Sequence, residues 1–276
     1  VNPIDVKSRK GMGQATALKK ENPVILGWDI SGTVVDVSNE VTEFKKGDEV
    51  FGMINRPGSG RAYAQFVAAK ADQIALKPAN ISHEEAAAAS LAAMTAYQAL
   101  VGHASIQPGQ KILIHAASGG VGHYAVQIAK NFLKAYVIGT SSAANKDFVL
   151  QLGADQHIDY KNRPFEEVSP EVDWILDTIG GNNIERSLKV LKTGGTIISL
   201  PSINSADVKE KAAAQGRKGI HFMVRSNGED MKQIASFLKN GIIKSYISKI
   251  FSFDQMKAAH AHVESGNTIG KIVVKI

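Results

Sequence analysis

Apolar and polar positions are patterned in two different ways along this chain. Up to about Ser82 the runs are short: "SGTVVDVS" and "DEVFGMI" are β-branched stretches bounded by glycines and charges, and "AYAQFVAAKADQIALKP" ends its strands at Pro78. Strands and turns are predicted throughout that region. From Ser82 the texture changes to "EEAAAASLAAMTAYQALVG", an alanine-rich run with Ser82 and Glu85 at capping-box spacing, which predicts a helix to about Val101. A domain boundary is therefore expected between residues 82 and 105.

Beyond it, strand and helix alternate. Strands are predicted at Lys111–His115, Ala135–Gly139, Gln156–Ile158, Val172–Asp177, Thr196–Leu200 and Ile220–Val224. Helices are predicted at Gly120–Leu133, Ala143–Leu152, Asn182–Leu191 and Glu229–Asn240. This alternation implies a parallel sheet covered on both faces, with ligands at the carboxyl ends of its strands. The tail "FSFDQMKAAHAHVESGNTIGKIVVKI" predicts one helix and one final strand, whose texture matches the first domain better than the second.

Composition narrows the chemistry. The 276 residues suit two domains, and the chain contains no cysteine, which excludes disulfides, a thiolate nucleophile and cysteine-ligated zinc. The net charge of +6 is scattered, without a basic run of the nucleic-acid type, so solvated lysines account for it, although an anionic cofactor would suit the sign. No apolar run reaches the ~20 residues that span a bilayer, and there is no signal-peptide pattern. A cytoplasmic protein is expected, although the chain opens on Val1 in mid-element and leaves a preceding leader open.

The segment "KILIHAASGGVGHYAVQIAK" joins a strand to a helix through Ala117-Ser118-Gly119-Gly120-Val121-Gly122. Gly119 would let backbone approach a pyrophosphate, Gly122 would permit close helix–strand packing, and Ala117 stands where the turn-tightening glycine of a dinucleotide fingerprint would be. Alone, this is also an ordinary strand–helix turn; its place in a strand–turn–helix–strand unit favours a dinucleotide. NAD sites want an acidic residue about 20 positions further on. From Ile128 to Lys146 there is none, while Ser141, Ser142 and Lys146 offer donors and a positive charge to a 2′-phosphate. NADPH is thus favoured over NADH, and the same residues also make a polar loop capping the next helix.

The stretches "VNPIDVKSRKG", "LGWDISGTVVDVS…GDEVFG", "AAAASLAAMTAYQAL", "PGQKILIHAASGGVG", "LDTIGG" and "GKIVVKI" occur together in order and spacing. In them the chain resembles the zinc-free quinone oxidoreductase branch of the medium-chain dehydrogenase/reductase superfamily, over essentially its whole length. The resemblance implies an α/β fold: a Rossmann doubly wound parallel sheet (residues 91–240) and a GroES-like β-rich catalytic domain (1–90), to which residues 241–276 return. The first strands of that catalytic domain would precede Val1.

Zinc alcohol dehydrogenases of the superfamily have a cysteine where this chain has Asn2 and a His-Glu pair where it has Trp28-Asp29; Leu91 falls about where another ligand cysteine would sit. The structural zinc lobe is missing, and no histidine pairs with another ligand at metal spacing, so no metal site is expected. The resemblance places Thr95 beside the nicotinamide and Ser118, Gly119, Gly120 and Val121 along the pyrophosphate. It places Ser141, Lys146 and Tyr160 on the 2′-phosphate, and Leu200, Ser202 and Ile179 near the nicotinamide amide. For Tyr160 an exposed loop tyrosine is an equal reading.

Without zinc to polarise a simple ketone, a conjugated acceptor is the easier substrate, because charge left by hydride addition delocalises onto oxygen. Asn2 is the candidate donor to that oxyanion, with Asp5 orienting it, although Asn-Pro-x-Asp is also turn chemistry. The expected activity is NADPH-dependent reduction of quinones or enones. The alternatives are a metal-free alcohol or ketone reductase and a non-catalytic NADPH-binding relative. The resemblance implies that a homodimer, if one forms, joins through the Rossmann sheet edge, for which Ile220–Val224 is the candidate; the sequence leaves the oligomeric state open, and no nucleic-acid or membrane partner is expected.

Overall fold

The computed structural model describes residues 1–200 and 207–276. The chain forms two compact units, Val1–Met94 with Val224–Ile276, and Thr95–Met223.

The first unit begins with two short helices, α1 (Pro3–Arg9) and α2 (Ala15–Leu18), where strands and turns were expected. Local chemistry explains α1. Asn2 is its N-cap in extended conformation, Pro3 occupies the first helical position, and the Asp5 carboxylate reaches back to the Asn2 amide at 2.7 Å. The Asn-Pro-x-Asp sequence is therefore a helix start and not a free turn. Strands β1 (Asp29–Thr33), β2 (Glu49–Met53) and β3 (Ile74–Leu76) form an antiparallel sheet in that order. Only its last three residues make "AYAQFVAAKADQIAL" a strand. Helix α3 (His83–Tyr97) starts as its sequence demands: the Ser82 amide donates to Glu85 Oε2 at 2.8 Å and the Glu85 amide to Ser82 Oγ at 3.1 Å.

The second unit is built on β4 (Lys111–Ile114), α4 (Gly122–Gln127), β5 (Tyr136–Ser141), α5 (Lys146–Gln151), β6 (Gln156–Asp159) and α6 (Phe165–Val168). These are followed by β7 (Val172–Asp177), α7 (Asn182–Leu188), β8 (Leu191–Ser199), α8 (Val208–Ala213) and β9 (Lys218–His221). The six strands run parallel in the order β6-β5-β4-β7-β8-β9, the doubly wound arrangement with its switch point beside β4. Leu113, Ile138, Ile175 and Ile197 on the strands pack with Phe165, Ile184 and Leu188 from the helices in one dry core. The helix after the glycine turn starts at Gly122, two residues later than predicted, and widens over Ile128–Phe132. Strand β8 begins at Leu191, earlier than predicted, and β9 ends at His221 without reaching Val224.

The chain re-enters the first unit at Val224, well before residue 241. The cause is α9 (Gly228–Lys239), which packs on β3 and the turn before it. A Cβ at Gly228 would lie 2.7 Å from the Asp72 carbonyl oxygen, and Asn80 Nδ2 donates to the Lys239 carbonyl at 3.3 Å. The tail contributes β10 (Ile247–Ser252), α10 (Met256–Glu264) and β11 (Lys271–Lys275); β10 and β11 pair parallel, one strand more than predicted.

Candidate active site

In the first unit, three polar residues from distant parts of the chain meet under cover. Asn2 is 2% exposed and Lys271 3%. Asn2 Nδ2 donates to Asp29 Oδ2 at 2.6 Å, while the Lys271 ammonium donates to Asn2 Oδ1 and, at 3.1 Å, to the Val1 carbonyl. Lys271 Nζ lies 3.9 Å from Asp29 Oδ2, and the other Asp29 oxygen accepts the Leu91 amide at 2.7 Å. Burial pushes the Lys271 ammonium below its ordinary value, and Asp29 and Asp5 draw it back. One of the two Asn2 Nδ2 hydrogens is left without a partner among the described residues.

Asp5 is fully buried, and burial raises its carboxyl; Oδ1 has no hydrogen-bond partner among the described residues. Beside it the Tyr63 hydroxyl meets His260 Nε2 at 3.1 Å, and burial followed by the Asp5 charge pushes the phenol up. Asn2, Asp5, Asp29 and Tyr63 border an open cavity of about 1510 Å³, with Phe66 and Val35 exposed on its apolar wall.

A zinc ion does not fit these residues. Trp28 gives its indole N–H to the Gly58 carbonyl at 2.8 Å, Leu91 offers only backbone, and a lysine ammonium already holds the oxygen of Asn2. A zinc site needs three or four converging nitrogen, sulfur or oxygen donors, and an ammonium among them opposes a second cation. Among the described residues no three His, Asp or Glu side chains gather in metal-binding geometry.

In the second unit the turn after β4 is tight, and Ala116 takes the left-handed conformation (φ 48°). A Cβ on Gly122 would stand 2.1 Å from the Ala116 carbonyl oxygen, so this position admits glycine alone; on Gly119 it would stand 3.2 Å away. Helix–strand closeness at Gly122 is thus the stricter demand. Among the described residues the amides of Gly120 and Val121 have no backbone acceptor, which is the condition for holding a pyrophosphate. Asn145 Nδ2 ties the next helix to Ser118 Oγ at 3.1 Å, and buried His123 braces the Gly119 carbonyl at 2.9 Å.

The carboxyl ends of β5 and β6 gather the other predicted groups. Lys146 and Tyr160 are exposed and Ser142 half-buried, whereas Ser141 is buried, its hydroxyl donating to the Ser142 carbonyl at 3.2 Å and meeting His157 Nε2 at 2.8 Å. Ile179 is exposed and Leu200 half-buried at the ends of β7 and β8. Thr95 is buried at the start of the unit, and Ser202 lies outside the described residues.

Three side chains that organise these ends carried no signal in the sequence pattern. Asp177, fully buried, accepts from the Ile179 and Gly180 amides, Asn183 Nδ2 and Ser199 Oγ at 2.7–3.1 Å, and so fixes the "LDTIGG" loop. His115 lies between Thr140 Oγ1 (3.2 Å) and Ser187 Oγ (2.9 Å); burial holds its pKa at about 4. The third is His157. Lys271 was legible only as part of a strand motif.

A parallel doubly wound unit with a glycine turn at its switch point, joined to a β-rich unit with a buried polar cluster, defines the class of dinucleotide-dependent oxidoreductases. Residues 1–79 match the alcohol dehydrogenase GroES-like domain and residues 152–274 the zinc-binding dehydrogenase domain. The chain is 36% identical to a 2-methylene-furan-3-one reductase of Solanum lycopersicum, over 99% of this chain and 69% of that protein. It is 32% identical to a chloroplastic NADPH-dependent alkenal/one oxidoreductase of Arabidopsis thaliana, with the same coverage of each. The solved quinone oxidoreductase of Coxiella burnetii superposes with a TM-score of 0.95 at 36% identity, over 100% of this chain and 87% of that one. The chain belongs to the quinone oxidoreductase branch of the medium-chain dehydrogenase/reductase superfamily.

Proposed function

We propose that this protein reduces quinones or α,β-unsaturated carbonyls with NADPH and without a metal. The observation that carries this reading is the Asn2–Asp29–Lys271 cluster, in which an ammonium stands among the former ligand positions and Asn2 retains one donor hydrogen. The names of the relatives, an alkenal/one oxidoreductase, a furanone reductase and a quinone oxidoreductase, support the same substrate class.

When bound, NADPH supplies a hydride to the acceptor. The chain's own residues do the rest. Asn2 donates its remaining amide hydrogen to the oxygen on which charge develops, and Lys271 and Asp29 keep that amide from rotating. Asp5 holds the Asn2 backbone at the start of α1. Ser118, Gly119, Gly120 and Val121 receive the pyrophosphate; Ser142, Lys146 and Tyr160 receive the 2′-phosphate, with Ser141 behind them. Thr95, Ile179 and Leu200 orient the nicotinamide.

Two further parts of the proposal concern setting. The free edge of β9 is offered as a homodimer seam. No helix among the described residues is long and apolar enough to cross a membrane, and placement in the cytoplasm is proposed; one relative is chloroplastic, so fractionation of the native host decides it.

Steady-state oxidation of NADPH against a panel of quinones, enones and simple ketones, before and after dialysis with a chelator, tests the reading. Turnover with quinones or enones that survives chelation is expected. Turnover with ketones alone points to an alcohol or ketone reductase, binding without turnover to a non-catalytic protein, and loss on chelation to a metal mechanism.

A further inference from the structure

We propose that His157 is a further cofactor-discriminating residue: with Lys146 it frames the place of the 2′-phosphate, and Ser141 holds its imidazole there. This rests on the NADPH reading above. Strand β6 is the edge of the sheet, and His157 pairs in register with Gly139 on β5, two residues before the carboxyl ends of both strands, beyond which lie Lys146 and Tyr160. A depression of about 310 Å³ lies beside the strand, bordered by His157, Asp159, Asn162 and Arg163.

The two contacts of the Ser141 hydroxyl favour one tautomer of His157. Ser141 has one hydroxyl hydrogen, and it goes to the Ser142 carbonyl. Its oxygen therefore accepts from His157 Nε2–H, and the neutral ring keeps a bare lone pair on Nδ1. A lone pair facing an anion is unfavourable. Protonation of Nδ1 converts it into a charged donor, so phosphate binding and proton uptake favour each other.

The charged groups around the ring act on it in opposite directions. Burial holds the imidazole below its ordinary value, Asp159 draws it back up, and Lys146 pushes it further down. Asp159 is occupied within its own turn, accepting the Lys161 amide at 3.1 Å and Asn162 Nδ2. Arg163, exposed, borders the depression beside β6 together with His157. A bound phosphate screens Lys146 from His157 and so raises the imidazole pKa. The sign follows: the contribution of His157 to NADPH affinity is present at low pH and lost as pH rises through the pKa of the bound state.

Calorimetric titration of NADPH and NADH into the wild type and His157→Gln, at pH 6 and pH 8 in buffers of differing ionisation enthalpy, tests this. The variant should bind NADPH about tenfold more weakly at pH 6 and within about twofold of wild type at pH 8, with NADH unchanged at both. The wild type should also take up more protons on binding NADPH than the variant. A phosphate with its own pKa near ~6 releases protons beside Lys146 in both proteins, so the difference isolates the histidine. Equal proton counts and equal affinities overturn the proposal while leaving NADPH as cofactor. A wild type that binds NADPH no better than NADH removes the cofactor reading, and this inference with it. If the glutamine variant loses NADH as well, His157→Lys carries the test. It must bind NADPH at pH 8 as tightly as wild type does at pH 6, and weaker binding overturns the proposal.

Discussion

Acidification should destabilise the second unit through His115. The ring is fully buried between two hydroxyls, and Ser187 already donates its own hydrogen to the Asn183 carbonyl at 2.6 Å, so Nε2 carries the proton and Nδ1 accepts from Thr140. The folded pKa of about 4 lies below the ordinary 6.5. Between those values the unfolded chain binds more protons, so stability is complete above pH 6.5 and drains away as pH falls toward 4. Integrating over that window gives a loss of about 2 kcal/mol at pH 5 and about 3 kcal/mol at pH 4, relative to pH 8. His115→Gln keeps a donor and an acceptor but cannot titrate. It should start less stable at pH 8 and lose less on acidification. The chain has two tryptophans, Trp28 in the first unit and Trp174 in the second, so a Trp28→Phe background lets urea unfolding followed by fluorescence report on the second unit alone. If both proteins lose the same stability between pH 8 and pH 5, His115 does not stand neutral in the fold and the reasoning fails.

Gly122→Ala should weaken dinucleotide binding by about tenfold or more, because the added methyl meets the Ala116 carbonyl, while Gly119→Ala should cost far less; fluorescence titration with NADPH compares them. Lys271→Met should destabilise the first unit by about 3 kcal/mol, the low end for breaking a buried ion pair, since Asp29 keeps its two N–H donors. Because burial lowers the Lys271 pKa, stability with Lys271 present should also rise as pH climbs from that value toward the unfolded one; the Met variant should lack this rise, which Trp28 fluorescence in urea measures in a Trp174→Phe background. Asn2→Ala should reduce turnover by about 10²-fold and Asn2→Asp by more, with NADPH affinity nearly unchanged; normal turnover in Asn2→Ala removes this residue from the mechanism.

The second unit was largely legible because its signals are local. Strand and helix periods differ, and the run Val172–Asp177 came out residue for residue. The glycine turn was legible in place but not in mechanism, since the sequence does not tell which glycine faces a carbonyl and which faces open space. In the first unit the reading was weaker. Asn-Pro-x-Asp suits a turn and a helix N-terminus equally, and Lys7 and Arg9 at the end of α1 were too few to decide. The resemblance brought Asn2 and Asp29 to one place, but the part of Lys271 in their cluster was not legible, because it lies far along the chain and only the fold brings it to them. His157 was hidden for the same reason: its partner Ser141 lies on the neighbouring strand.

The discontinuity of the first unit sets an order of assembly during synthesis. Thr95–Met223 is a contiguous stretch, free to close as soon as its last strand leaves the ribosome. The amino-terminal stretch cannot be finished then. Asn2 awaits an ammonium 269 positions downstream, in β11. Until Lys271 emerges, Asn2 and Asp29 lack the cation of their cluster and must stay hydrated. The Rossmann unit is thus complete in translation before the cluster that holds Asn2 can close.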